Sequence, residues 1–132
     1  MIRVAVVDDE ELVRGMIAVI LARNGYLVHE AGSPESALRQ VHDEPHRFDL
    51  VITDQAMPYM SGLQLTRDLR LIRPDIPVIL VSGHLSPEDL AQAEAVQLEG
   101  VLDKPFARRA LLELVAGVLR EHAERESEDL IA

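Results

Sequence analysis

The 132-residue sequence contains no cysteine. That excludes a disulfide framework, a thiolate nucleophile and cysteine-ligated zinc, and nothing in residue usage asks for an oxidising compartment. Long hydrophobic runs are also missing, since none approaches the roughly 18 residues of a membrane span. The opening segment MIRVAVVDDE carries one Arg and a short apolar run that ends in acids, without the length or cleavage pattern of a signal peptide. A soluble, cytoplasmic protein is the expectation. Positive charge is scarce: 13 Lys and Arg stand against 23 Asp and Glu, for a formal net charge of -10. Nucleic-acid binding generally needs a basic face that releases counterions from phosphates, so this balance argues against direct nucleic-acid contact. It suits a divalent cation, although solvating surface acids produce the same composition.

The chain is long enough for one compact domain with a real core. Five strand-like runs alternate with helix-like runs: IRVAVV (2–7), LVHE (27–30), DLVIT (49–53), PVILVS (77–82) and GVLD (100–103). The first, third and fourth are apolar almost throughout, as parallel strands covered on both faces must be, whereas LVHE is short and half polar and reads as an edge. Between them, Leu12, Met16 and Ile20, with Val13, Ile17 and Leu21 alongside, read as one wide apolar helix face that stops at Asn24-Gly25. Ser33-Pro34-Glu35, Ser61-Gly62-Leu63-Gln64 and Ser86-Pro87-Glu88-Asp89 are helix-start patterns, and Arg73-Pro74 closes the third helix. The fourth helix has few large apolar residues and is expected to be the most loosely held. The last helix begins near Ala107, with Leu111, Leu114, Val115 and Val118 on its buried side.

Five βα units predict an α/β, doubly wound sandwich with right-handed crossovers and helices on both faces of a parallel sheet. A flavodoxin-like strand order 2-1-3-4-5 puts the two weakest strands at the edges and the three most apolar ones inside. Sheets of this kind carry their sites at the carboxyl ends of the strands. Reading just past each strand gives Asp8-Asp9 after the first, Asp54 after the third, Ser82 after the fourth and Lys104 after the fifth. Each has an ordinary reading as a turn, helix-start or solvated residue. Together they crowd three carboxylates onto one rim, which calls for a cation. An all-oxygen donor set favours Mg²⁺. Lys104 and Ser82 add a positive charge and a hydroxyl that suit a phosphoryl group. His29, His42, His46 and His122 show no metal spacing among themselves and read as surface or structural residues.

The motifs VVDDE, VITDQAMPYMSG, VILVSG and LDKPF, in this order over residues 2 to 106, resemble the receiver domain of bacterial two-component response regulators. The resemblance implies the same strand order, so the two arguments for it are not independent. It places a receiver domain over 1–122, followed at 123–132 by an acidic tail or the end of the last helix. It implies that Asp54 accepts a phosphoryl group from a phosphohistidine on a histidine kinase or histidine phosphotransfer protein. Asp9, Asp54 and the backbone carbonyl of Ala56 would ligate Mg²⁺, and Asp8 would hold a metal-bound water. Lys104 would pair with one phosphoryl oxygen and Ser82 with another. The Lys104-Pro105 peptide is expected to be cis, and a homodimer formed on phosphorylation is among the implied partners. TDQAMP and the residues around VSGH are similar to receivers joined to hybrid histidine kinases.

The sequence departs from the family pattern at three places. Val101 stands where receivers commonly place Phe or Tyr, which shifts any switch toward the Ser82 to Pro87 loop; the plain alternative is that Val101 packs against the last helix. Ala56 and His84 stand where the path of a hydrolytic water is flanked, and His84 is the one able to act on it. Two other functions stay open: a docking module with a vestigial acidic rim, and an aspartyl-phosphate phosphatase, which would want an acid where Ala56 stands. The sequence shows no basic helix-turn-helix or catalytic domain, so output through protein contacts, or a larger parent protein, is expected.

Overall fold

A computed structural model describes residues 1–131. Its order is β1 (Arg3–Val7), α1 (Glu11–Ala22), β2 (Leu27–Ala31), α2 (Pro34–Asp43), β3 (Leu50–Asp54), α3 (Gly62–Ile72), β4 (Val78–Ser82), α4 (Pro87–Val96), β5 (Gly100–Asp103) and α5 (Arg108–Ile131). The five strands form one sheet in the order β2-β1-β3-β4-β5, and every neighbouring pair is parallel. Helices cover both faces, as the flavodoxin-like reading requires.

Alternation along the strands explains why the central ones are apolar at nearly every position. On β1, Val4 and Val6 join Ile52, Ile79 and Val81 under α1 and α5, in a core completed by Ile17, Leu21, Leu111 and Val115. Ala5 and Val7 point the other way and pack with Val51, Val78, Leu65 and Leu69 under α2 and α3. Side chains of successive strand residues face opposite sides, so a strand buried on both faces cannot spare a polar position. Each fully buried Val, Leu or Ile contributes about 1.5–3 kcal/mol by leaving water, which makes the central sheet the rigid part of the molecule.

Serine caps start three helices as their sequences predict. Ser33 Oγ accepts the Ser36 N–H at 3.2 Å, and Ser61 and Ser86 form reciprocal capping boxes with Gln64 and Asp89. The Lys104-Pro105 peptide is cis. Asp54 is the last residue of its strand, not the first beyond it, because it remains paired with Val81, and Ser82, paired with Asp103, closes β4 as the run 77–82 predicts.

The wide apolar face expected of α1 is divided. Ile17, Ala18 and Leu21 are buried, while Leu12 is 89% exposed and Met16 and Val19 lie outside as well. Positions 12, 16 and 19 follow helical spacing on the outer side, so α1 carries a second apolar stripe that the domain itself does not cover. Val101 does not pack into the last helix. Its neighbour Leu102 takes the α5 side of the sheet, which turns Val101 to the opposite side and leaves it 42% exposed. The fourth helix buries none of its side chains, in line with its composition. α5 continues through Ile131, so the segment from 123 to 131 is helical; Ala132, the end of the expected tail, lies outside the described residues.

Candidate functional site

The carboxyl ends of β1, β3, β4 and β5 meet at one rim. There, ligand atoms of Asp8, Asp9 and Asp54 all lie within 4.8 Å of one another. Asp8 is 2% exposed and Asp54 5%, while Asp9 faces solvent. Lys104 Nζ reaches Asp54 Oδ1 at 2.8 Å. Three carboxylates against one ammonium leave the rim with excess negative charge in a poorly hydrated place. The effect on Asp8 follows: burial raises its pKa, the N–H of Glu10 pulls it down, Asp54 raises it, Lys104 lowers it and Asp9 raises it, with a net rise above 3.8. Burial alone would lower Lys104, but its hydrogen bond to Asp54 and the charges of Asp54, Asp8 and Glu10 outweigh that and raise it.

Local structure fixes these side chains. Asp8 Oδ1 accepts the Glu10 N–H at 2.9 Å and so turns the chain into α1, whose own N-cap residue, Glu10, makes no side-chain cap. The Asp8 carbonyl accepts from Arg14 Nη1 at 2.9 Å, and Arg14 Nε pairs with Glu30 at 3.1 Å. After Asp54, the carbonyl of Gln55 accepts the Gly62 N–H at 3.0 Å, and Gln55 Oε1 accepts the Leu63 N–H at 2.9 Å. The start of α3 is thus fastened to the end of β3. A side chain at Gly62 would overlap the Asp54 carbonyl oxygen and come within 2.7 Å of Leu80 Cδ1.

Of the residues singled out in the sequence, Asp8, Asp9, Asp54 and Lys104 converge. Ser82 is buried on the neighbouring strand, and its carbonyl accepts the Lys104 N–H at 2.8 Å. Its hydroxyl is engaged elsewhere: it donates to the His84 carbonyl at 3.0 Å and accepts the His84 N–H at 3.1 Å. Ala56 sits on the exposed loop two residues beyond Asp54, and His84 is exposed. Arg14 and Gln55 were not anticipated. Gln55 directly follows Asp54 in a run that has to turn at once into a helix, a signal that could have marked it; the contacts of Arg14 depend on tertiary packing.

An all-oxygen cluster of this span fits a small hard cation. Mg²⁺ holds oxygens at about 2.0–2.1 Å, so its ligands lie no more than about 4.2 Å apart, comparable with the observed spread. Residues 4–116 match the family described as the response regulator receiver domain. The chain belongs to that family.

Relatives place this receiver among two kinds of signalling protein. Sensor kinase CckA of Brucella abortus is 36% identical over 118 residues, covering 89% of this chain and 12% of that protein. Transcriptional regulatory protein FixJ of Rhizobium meliloti is 34% identical over 129 residues, covering 98% of this chain and 58% of its own length. Among solved structures, chemotaxis protein CheY4 of Vibrio cholerae is 32% identical with a TM-score of 0.81, covering 89% of this chain and 98% of that one. A receiver domain protein from Methanospirillum hungatei gives a TM-score of 0.89 at 27% identity, covering 95% and 98%. The receiver spans less than two thirds of either curated relative. No helix among the described residues is long and apolar enough to cross a membrane.

Proposed function

We propose that this receiver, spanning residues 1–122, is a cytoplasmic phosphorylation-controlled switch in which Asp54 takes a phosphoryl group from a phosphohistidine of a histidine kinase or phosphotransfer protein. The observation that carries this reading is the buried Asp54 carboxylate, held at 2.8 Å by Lys104 beside Asp8 and Asp9. A carboxylate oxygen of Asp54 attacks phosphorus, the P–N bond to the donor imidazole breaks, and the imidazole leaves with its electron pair and takes up a proton. The product is an acyl phosphate on Asp54. Lys104 moves its hydrogen bond from the carboxylate to a phosphoryl oxygen and balances the added charge. Asp9, Asp54 and the Ala56 carbonyl would hold Mg²⁺ directly, with Asp8 acting through a water; when bound, the ion offsets the negative charge of the phosphoryl oxygens.

Ser82 supplies the switch. Its hydroxyl exchanges the His84 backbone for a phosphoryl oxygen, which draws the Ser82 to Pro87 loop inward and shifts α4. That helix is poised to move because it buries no side chain, and the exposed Leu90 and Val101 make its surroundings a contact surface. A homodimer formed on phosphorylation would use this surface. The donor docks on the outer stripe of α1: an apolar groove lined by Val13, Met16, Pro105 and Phe106 adjoins Lys104. The domain transfers no group to a second substrate and is not an enzyme in that sense; a phosphatase of the aspartyl-phosphate type would need an acid where Ala56 stands.

Incubation with acetyl phosphate and Mg²⁺, followed by intact mass measurement, tests the reading. One phosphoryl addition that disappears in Asp54→Asn supports it. No addition in the wild type would mark the domain as a docking module, and sustained turnover of a phosphate ester would mark it as an enzyme.

A further inference from the structure

At the opposite end of the sheet from Asp54, the turn between α3 and β4 meets the C-terminal half of α5. Asp75 from that turn and His122 and Glu126 from α5 bring three ligand atoms within 4.8 Å of one another. His122 and Glu126 are four residues apart, so they share one helix face, and His122 Nε2 lies 3.1 Å from Glu126 Oε1. The His122 side chain is only 14% exposed, against 58% for Glu126. The Asp75 carboxylate is engaged by Arg73 Nε through Oδ1 at 3.2 Å, which leaves Oδ2 for another partner. The cluster lines a groove of about 500 Å³. The groove's charges are mostly acidic: Arg70 is matched by Glu99 at 2.7 Å, and Glu121 and Asp129 add to the acids already named, against Arg125.

We infer that Asp75, His122 and Glu126 form a second divalent-cation site, suited to Zn²⁺ and separate from the acidic rim. One imidazole nitrogen and two carboxylate oxygens are a donor set that zinc accepts with a solvent molecule as fourth ligand, whereas Mg²⁺ prefers oxygen alone. Ligand atoms about 2.0 Å from a tetrahedral ion lie about 3.3 Å from each other. His122 and Glu126 already stand at nearly that separation, at 3.1 Å, and Asp75 offers a ligand atom within 4.8 Å of both. The occupied site would clasp the last turns of α5 to the base of β4. Spacing among the histidines does not reveal it, because Asp75 and His122 are 47 positions apart.

Calorimetric titration of the full chain with Zn²⁺, in excess Mg²⁺ to hold the acidic rim, tests the inference. One equivalent should bind to the wild type and to Asp54→Asn. Affinity should fall at least about tenfold in His122→Gln and in Asp75→Asn, since even an outer-sphere partner of a metal ligand is worth that much. The His122 ring signals should shift at one equivalent in NMR spectra, which an i,i+4 ion pair without metal would not do. Glutamine is a good helix former, so α5 persists in the His122 variant, and circular dichroism checks that it does. Zn²⁺ binding unchanged in His122→Gln, lost in Asp54→Asn, or absent from the wild type would each overturn the assignment.

Discussion

Removing the charge of Asp8 has two opposed consequences, and both follow from the geometry of the rim. Asp8 and Asp54 are buried and their ligand atoms lie within 4.8 Å. Two like charges at that separation repel by about 3–4 kcal/mol at an effective dielectric of 20. Lys104 relieves part of this through Asp54, and the Glu10 N–H relieves part through Asp8. The uncompensated remainder is about 1–2 kcal/mol. Asparagine keeps an oxygen for the Glu10 N–H and loses the charge. In EDTA at pH 7, Asp8→Asn should therefore be more stable than the wild type by about 1–2 kcal/mol, or roughly 3–8 °C in Tm for a domain of this size. The sign also fixes the pH dependence. A carboxylate whose folded pKa is raised above 3.8 binds more protons folded than unfolded, so wild-type stability falls as pH rises from 3.8 through the raised value. Asp8→Asn lacks that fall. Saturating Mg²⁺ reverses the ranking: it adds about 2.7 kcal/mol to the wild type at a hundredfold excess over Kd and much less to the variant. Urea denaturation at pH 4 to 8, with EDTA and with Mg²⁺, measures all of this. A variant less stable than the wild type in EDTA, or equally stabilised by Mg²⁺, would refute the reasoning.

Four other substitutions probe separate parts of the site. Lys104→Met should lose the component of stability that the wild type holds below pH 10.5 and sheds as pH rises through the higher folded value; thermal melts from pH 9 to 12 compare the two profiles. Gly62→Ala should cost about 1–3 kcal/mol, because its neighbour is the Asp54 carbonyl and not a movable side chain. Gly83→Ala, with nothing within 4 Å, should stay within about 0.5 kcal/mol in the same denaturation assay. His84→Ala should change the rate of acyl-phosphate loss; an unchanged rate would remove His84 from the hydrolytic step.

The arrangement of the sheet was readable because burial on both faces forces β1, β3 and β4 to be apolar at successive positions, and because serine caps and Asn24-Gly25 punctuate the helices. The acids were readable because strand ends are fixed points, so Asp8, Asp54 and Lys104 had to share a rim. The sides of α1 were not, since its apolar residues surround most of the helix and only packing decides that Ile17 and Leu21 go inward while Leu12 and Met16 stay out. Val101 was misplaced for a related reason: on a short edge strand, one residue of register decides which face it takes. The engagement of Ser82 with His84 depends on a hydroxyl rotation that no pattern of residue types encodes.

The central claim, that Asp54 alone among the clustered acids becomes phosphorylated, has a direct chemical test. Borodeuteride reduction of the acetyl phosphate-treated protein converts an aspartyl phosphate to deuterated homoserine, and fragment-ion mapping then locates it. The label is predicted at position 54 only, and only when Mg²⁺ is present. Label at position 8 or 9, or none at 54 despite a phosphoryl adduct in the intact mass, would contradict the account.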